Sequence, residues 1–220
     1  MPVTLIDSVS DDAVDLYADI LEDVAHLLAK KDVEDARASL APIAGEQWAV
    51  RVPTTRTVTA GTRTADARRV SARSRAEALI RDRFRCSRCG GRGVPRCVLV
   101  AISDVFPEEF PYDRHYGRGR IHPAYWLLVL EADHTLAFAK GGADDVTNLT
   151  AMHALCNTQK ADALLDELSL RNPLPERPGW DGLLTAYPGI VQAGEEVGSR
   201  HASPRYHVDW MRRFGLSPVG

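Results

Sequence analysis

A chain of 220 residues, 45% of them apolar, has material for one good core or for a core with a small helical attachment, so one or two domains are expected. It holds no run of eighteen apolar residues, and its start, MPVTLIDSVSDDAVD, has neither the basic opening nor the apolar centre of a secretion signal. That pattern argues against a membrane span and for a soluble, cytoplasmic protein, in which four cysteines read as metal ligands or free thiols rather than as a disulfide framework.

The formal net charge of −3 conceals an asymmetry. Residues 1–50 carry three Lys or Arg against eleven Asp or Glu, whereas residues 51–96 carry thirteen Arg against three acids. Within the acidic part, Val14, Leu16, Tyr17, Ile20, Leu21, Val24, Leu27 and Leu28 recur at helical spacing. Residues 11–40 are therefore expected to form a helical hairpin or one bent helix, starting after Ser8 or Ser10. A second short helix is expected from Asp32 to the neighbourhood of Pro42 or Gly45. This acidic region, 1–50, would pack on the rest of the chain or join two copies in a homodimer, and its exposed acids speak against direct DNA contact.

Residues 51–67 include VPTTRTVTAGTRTADA, which lacks a helical period and reads as a linker or loose β-ribbon. A basic helix is expected next, over 67–82, where Arg68, Arg69, Arg73, Arg75 and Arg81 are candidate phosphate contacts. Each would displace a counterion from nucleic acid, so that binding weakens with salt. CSRCGGRG over 86–93 reads as a tight turn, CVLVAI over 97–102 as a short strand, and 106–120 as an insert punctuated by Pro and Gly. YWLLVL over 125–130 suits a buried strand leading to Asp133 and His134. A loop turning at Gly141 and Gly142 then leads to Asn148 and Leu149, after which His153, Cys156, Asn157 and Lys160 fall at the opening of a helix. That helix is expected to continue through 161–170 until Asn172 and Pro173 stop it. The C-terminal extension, 171–220, carries apolar anchors around Trp180 and over 206–214 that are expected to fold back on the core. No internal repeat is present.

Structural zinc asks for four tetrahedral N or S ligands, commonly two close pairs from separate segments. Cys86 and Cys89 supply one pair, and His153 with Cys156 supplies a second at the same spacing. Cys97, His115 and His122 are alternative sources of the fourth ligand.

Taken together, EADHTLAFAKGGADDVTNLTAMHALCNTQK over 131–160, RDRFRCSRCG over 81–90, FPEEFPY over 106–112 and HPAYW over 122–126 resemble the HNH endonuclease superfamily. These are the ββα-metal nucleases, here in the variant whose last signature residue is Asn, and the likeness spans residues 71–165. It implies an α+β fold, a ββα-metal HNH core with a zinc knuckle plus an N-terminal helical attachment, the nuclease domain occupying 68–170. It further implies that His134 is the general base, that Asp133 and Asn157 hold a catalytic Mg2+ or Mn2+, and that Asn148 fixes the loop carrying the base. In the family the second zinc pair is commonly two cysteines, and His153 departs from that.

The chemistry suits these residue types. A hard divalent ion neutralises phosphate and leaving oxygen together, and a neutral imidazole, with an unperturbed pKa of ~6.5, takes a proton from water at neutral pH. Because side chains alternate along a strand, Asp133 and His134 point opposite ways unless the strand ends there, so the loop should begin at His134. Lys160 would touch a phosphate or lie on the helix surface, and Glu131 is a weaker candidate for supporting the metal. The expected activity is metal-dependent hydrolysis of DNA leaving 5′-phosphate and 3′-hydroxyl ends, in restriction or phage defence. The competing readings are a zinc-stabilised nucleic-acid-binding module without catalysis and an RNA-directed or toxin-type nuclease on the same core.

Overall fold

The apolar stripe of the acidic N-terminal region becomes a helical hairpin. In the computed structural model, which describes residues 3–4, 11–49, 70–138, 141–160, 178–197, 201 and 203–217, α1 (Asp11–Ala29) turns at Lys31 into α2 (Val33–Leu40). Val14, Tyr17, Leu21, Val24 and Leu28 are buried, as the helical period requires, while Leu16 points outward and is 54% exposed. A 3-10 turn (Ala41–Ile43) and a two-residue parallel pairing of β1 (Val3–Thr4) with β2 (Gln47–Trp48) follow. The hairpin shares one hydrophobic cluster with the centre and C-terminal part of the chain. The proposed start at Ser8 or Ser10 and the linker over 51–67 lie outside the described residues.

The basic segment forms α3 (Ala72–Arg81), whose first turn is capped by Ser71 Oγ accepting from the Ser74 amide at 2.9 Å. Beyond a hairpin turn over 82–93, β3 (Val94–Pro95) leads directly into α4 (Arg96–Val105). Residues 97–102 are therefore helical and not a strand. Every residue from Cys97 to Val105 is buried, so the helix has no polar face to reveal its period, and its β-branched content reads as strand. The same correction applies to residues 125–127, which belong to the short α5 (Ala124–Leu127) begun at Pro123. Only Val129 and Leu130 of the expected strand lie in β4 (Val129–His134).

β4 is the centre of a three-stranded sheet, parallel to β3 and antiparallel to β5 (Leu149–His153), with Leu130 opposite His153 and His134 opposite Leu149. β5 runs without interruption into α6 (Ala154–Lys160), and β4, β5 and α6 make the ββα unit. The helical continuation expected over 161–170 falls outside the described residues.

Two helices from the C-terminal extension, α7 (Tyr187–Val197) and α8 (Pro204–Arg213), complete the layer around α4. They are tied to it by a buried polar chain. The Tyr187 hydroxyl lies 2.8 Å from His207 Nδ1, His207 Nε2 lies 3.1 Å from Asp104 Oδ2, and Asp104 Oδ1 accepts from the His201 amide at 2.6 Å. A carboxylate can only accept, so His207 donates from Nε2 and receives the tyrosine proton at Nδ1. Among the described residues no helix is long and apolar enough to cross a membrane.

His122 gives the fold an acid sensitivity. Its ring is buried between Phe110 and Tyr17, Nε2 meets the Ile43 carbonyl at 2.8 Å and Nδ1 accepts from the Ala124 amide at 3.1 Å, a neutral imidazole. Burial pushes its pKa down to about 3, against a weaker upward pull from that carbonyl. Between the two pKa values only the unfolded chain takes up this proton, so stability falls as pH drops from ~6.5 toward 3, by about 1.4 kcal/mol per unit. In urea denaturation at pH 7 and pH 5, a His122→Leu variant should lose roughly 2 kcal/mol less than the parent between the two pH values, whatever its absolute stability.

Candidate metal centre and active site

The turn after α3 delivers the first cysteine pair. Asp82, just past α3, accepts the Ala151 amide at 2.7 Å and the Thr150 hydroxyl at 3.3 Å, while the Ser87 amide donates to the Ala151 carbonyl at 2.9 Å. The hairpin is thereby sewn along β5. It closes through the Gly90 amide on the Cys86 carbonyl at 2.7 Å and the Cys86 amide on the Gly91 carbonyl at 3.0 Å. Gly91 sits in a tight spot: a Cβ there would lie 3.0 Å from both His153 Cε1 and a Val14 methyl, which would have to give way.

Cys86, Cys89, His153 and Cys156 bring four ligand atoms within 4.8 Å of one another. A tetrahedral zinc, with Zn–S of about 2.3 Å and Zn–N of about 2.0 Å, fits such a cluster after small side-chain adjustments. His153 is oriented for it: Nε2 donates to the Arg92 carbonyl at 2.9 Å, which leaves Nδ1, 3.4 Å from Cys89 Sγ, as the lone-pair nitrogen. The sulfurs are also supported by amides, His153 N to Cys86 Sγ and Gly91 N to Cys89 Sγ, each at 3.4 Å. Burial raises the Cys86 thiol, but hydrogen bonds from Cys156 and Cys89 hold it well below its ordinary range. Cys156, which donates to those sulfurs, is pushed far up. Crowded thiolates of this kind call for a cation.

The three alternative ligands lie elsewhere. Cys97 is buried in α4, its thiol raised by burial to about 12 against an opposing hydrogen bond with Tyr187. His122 is committed to Ile43 and Ala124, and the His115 amide donates to Asp113.

At the other end of the ββα unit, β4 carries on through His134, which still pairs with Leu149, so the loop begins at Thr135 and not at His134 as expected from side-chain alternation. Both Asp133 and His134 are buried. The His134 ring meets Asp144 Oδ1 at 2.7 Å through Nε2, and Phe138 lies beside it. Asn148 clamps the intervening loop: its Oδ1 accepts the Leu136 amide at 2.9 Å, and its Nδ2 donates to the carbonyls of Leu136 and Ala143 at 3.1 and 3.0 Å. Gly142 is needed for that clamp, because a Cβ there would fall 1.8 Å from the Leu136 carbonyl and 2.7 Å from the Asn148 amide.

Lys160, expected at a phosphate or on the helix surface, is instead buried, 1% exposed. Its Nζ lies 2.7 Å from Asp133 Oδ2 and donates to the His134 carbonyl at 3.2 Å. The Asp133 contact is one of charge, since Oδ2 is buried without an aligned hydrogen bond. That oxygen fits a hard divalent ion. Asn157 stands one helical turn before Lys160 on the same side of α6.

The remaining candidates have other tasks. Arg81 is exposed, yet it donates to the carbonyls of Val146 and Leu149 at 2.7 and 2.6 Å and pairs with Asp82, bracing the loop before β5. Glu131, considered for the metal, pairs with Arg96 and lies 3.8 Å from Arg75. Arg73 remains at the surface, paired with Glu77 one turn on. Arg68 and Arg69 lie outside the described residues. Sequence reasoning missed Asp144 and Arg88. Asp144 had no signal beyond its place two residues after the glycine pair. Arg88 pins α6 through the Cys156 carbonyl at 3.2 Å and Gln159 at 3.0 Å.

In comparison with known families, residues 126–163 match the HNH endonuclease family model, which covers β4, β5 and α6. No curated protein and no solved structure matches the chain.

Elemental analysis should find one zinc per chain, lost in Cys89→Ser and Cys156→Ser, and stripping by a strong chelator should lower the melting temperature by roughly 10 °C or more. Lys160→Met strands the buried Asp133 carboxylate and should cost about 3–5 kcal/mol. Millimolar Mn2+ should then raise the melting temperature of this variant more than that of the parent, and an equal response would exclude Asp133 as a ligand.

Proposed function

We propose that the HNH endonuclease core over residues 126–163 makes this chain a divalent-metal-dependent phosphodiester hydrolase acting on DNA. The observation that carries the reading is the pairing of His134 Nε2 with Asp144 at the end of the strand that also bears Asp133. With Nε2–H given to the carboxylate, Nδ1 is the basic nitrogen available to a water molecule. Asp144 holds the ring and stabilises the imidazolium once the proton has moved, and Asn148 fixes the loop on which Asp144 rides.

Asp133 and Asn157 would hold the Mg2+ or Mn2+, which when bound supplies charge neutralisation at the phosphate and leaving oxygen. Lys160 balances Asp133 in the meantime and yields to the stronger charge. The His134 side chain is 3% exposed, so the ring must become more accessible before a water molecule can reach it. The zinc set of Cys86, Cys89, His153 and Cys156 is a scaffold, since its ligands are spent on one another. Arg73, with Arg68 and Arg69 before it, would contact phosphates, whereas Arg81 braces the loop before β5 and Lys160 balances Asp133 inside the fold. The setting would be restriction or phage defence, and a homodimer through residues 11–40 would place two cutting centres on a duplex.

The covered state of His134 also favours a second reading, a zinc-stabilised module that binds nucleic acid without cutting it. Nicking of supercoiled plasmid separates the two. The parent should nick with Mg2+ or Mn2+ and stop with chelator. His134→Ala should lose about 10²–10⁴-fold in rate and Asp144→Asn roughly ten- to a hundredfold, while both still bind duplex. Salt-sensitive binding with no metal-dependent nicking in the parent would move the assignment to the binding module.

A further inference from the structure

A cavity of about 410 Å³ opens beside β4, on ground that the hydrolytic residues do not use. Its walls come from α3, the start of α4, β4 and α8, and its size lies within the usual range of small-molecule sites, about 300–1,000 Å³. The two helices turn regular faces to it. α3 contributes Ala72, Arg75 and Leu79, and α8 contributes Tyr206 and Trp210, each set at helical spacing.

The lining combines two kinds of chemistry. Tyr206 and Trp210 present aromatic rings, with centroids 6.4 Å apart, and Trp210 is braced from behind by stacking on Phe214 at 5.8 Å. Opposite them, Glu131 accepts from Arg96 and lies near Arg75, so acceptor oxygens and guanidinium donors sit side by side. A free phosphate would meet the carboxylate, and a purely apolar ligand would leave the ions unanswered. A flat heterocycle with donors and acceptors on its edge satisfies both walls, by stacking and by hydrogen bonds.

Position and charge point to the source of that heterocycle. Glu131 precedes Asp133 by two residues on the same strand face, a rise of about 6.6 Å, so the cavity adjoins the proposed hydrolytic centre. The outer side of α8 is basic: Arg205 and Arg212, with side chains 89% and 70% exposed, share the single carboxylate of Asp209, and Arg213 lies over the Trp210 ring, 5.4 Å from its centroid.

We propose that this cavity is a nucleobase pocket that receives one base of the nucleic-acid substrate, turned out of its stack beside the phosphate to be cut. The rings of Tyr206 and Trp210, set at 67° to one another, form its aromatic wall, and Glu131, Arg75 and Arg96 read the edge of the base. The assignment rests on the nuclease reading for its substrate, but the binding chemistry is independent of cutting.

The test uses the full-length, zinc-loaded protein with His134→Ala and saturation-transfer NMR against each of the four deoxynucleoside 5′-monophosphates, with ribose 5-phosphate as control. Base protons should receive saturation, one base more than the others, and the sugar phosphate alone should not. Glu131→Gln and Arg75→Ala should each weaken this binding about tenfold, as should Trp210→Leu. Trp210 also packs on Phe214, so the two polar variants decide the matter if Trp210→Leu melts early. In the active background, Glu131→Gln should flatten the base preference at the cut.

Absence of base saturation, or equal binding by all variants, overturns the pocket. Base binding lost in the variants while the cut preference stays unchanged assigns the site to a free nucleotide and overturns the substrate role. A parent that never nicks, yet binds bases through Glu131 and Arg75, refutes the nuclease reading and leaves the pocket standing.

Discussion

The meeting of Cys86, Cys89, His153 and Cys156 is the constraint on which the rest of the molecule depends. Two of these residues sit in the hairpin after α3, and the other two flank the junction where β5 becomes α6. Joining them fixes the direction in which α6 leaves the sheet. Cys156 is the immediate neighbour of Asn157 and lies four residues before Lys160, so the reach of Lys160 to the end of β4 follows from the position the cluster gives α6. The Arg92 carbonyl orients the His153 ring. The Arg92 side chain reaches Asp15 at 3.1 Å and Glu22 at 3.7 Å, which ties the acidic α1 to the same centre.

That arrangement also explains where the charge goes. The basic segment reads as a nucleic-acid surface when its arginines are counted, but many are consumed inside the fold. Arg81 braces Val146 and Leu149, Arg85 bonds the Gly90 carbonyl, Arg88 holds α6, Arg92 meets α1 and Arg96 meets Glu131. The acids of the N-terminal region are partly the counterpart of this internal use. Guanidinium suits the work because its planar fork satisfies carbonyls and carboxylates at once.

How much of this was legible in the sequence depended on whether a residue's role left a spacing. The two ligand pairs and the Asp133, His134, Asn148 and Asn157 series stand at separations fixed by a short ββα unit, so they could be read, and the structure brings the zinc set together. The N-terminal hairpin was legible because one of its faces is wet. Residues 97–102 and 125–127 were not, since burial on all sides erases the helical period and leaves only β-branched and aromatic composition. Asp144 and the turn of Lys160 into the interior are tertiary facts, set by a loop clamp and by a buried carboxylate.

The neutralisation of Asp133 by Lys160 means that the chain reaches its folded form without help from a catalytic ion. Folding and arming are separate events. The Cys86, Cys89, His153 and Cys156 cluster belongs to the scaffold, whereas Asp133 and Lys160 are a balanced pair that could be exchanged for apolar residues of similar bulk with little loss of stability. Such a fold is free to drift, over generations, between cutting nucleic acid and merely holding it, because selection on the scaffold does not guard the chemistry.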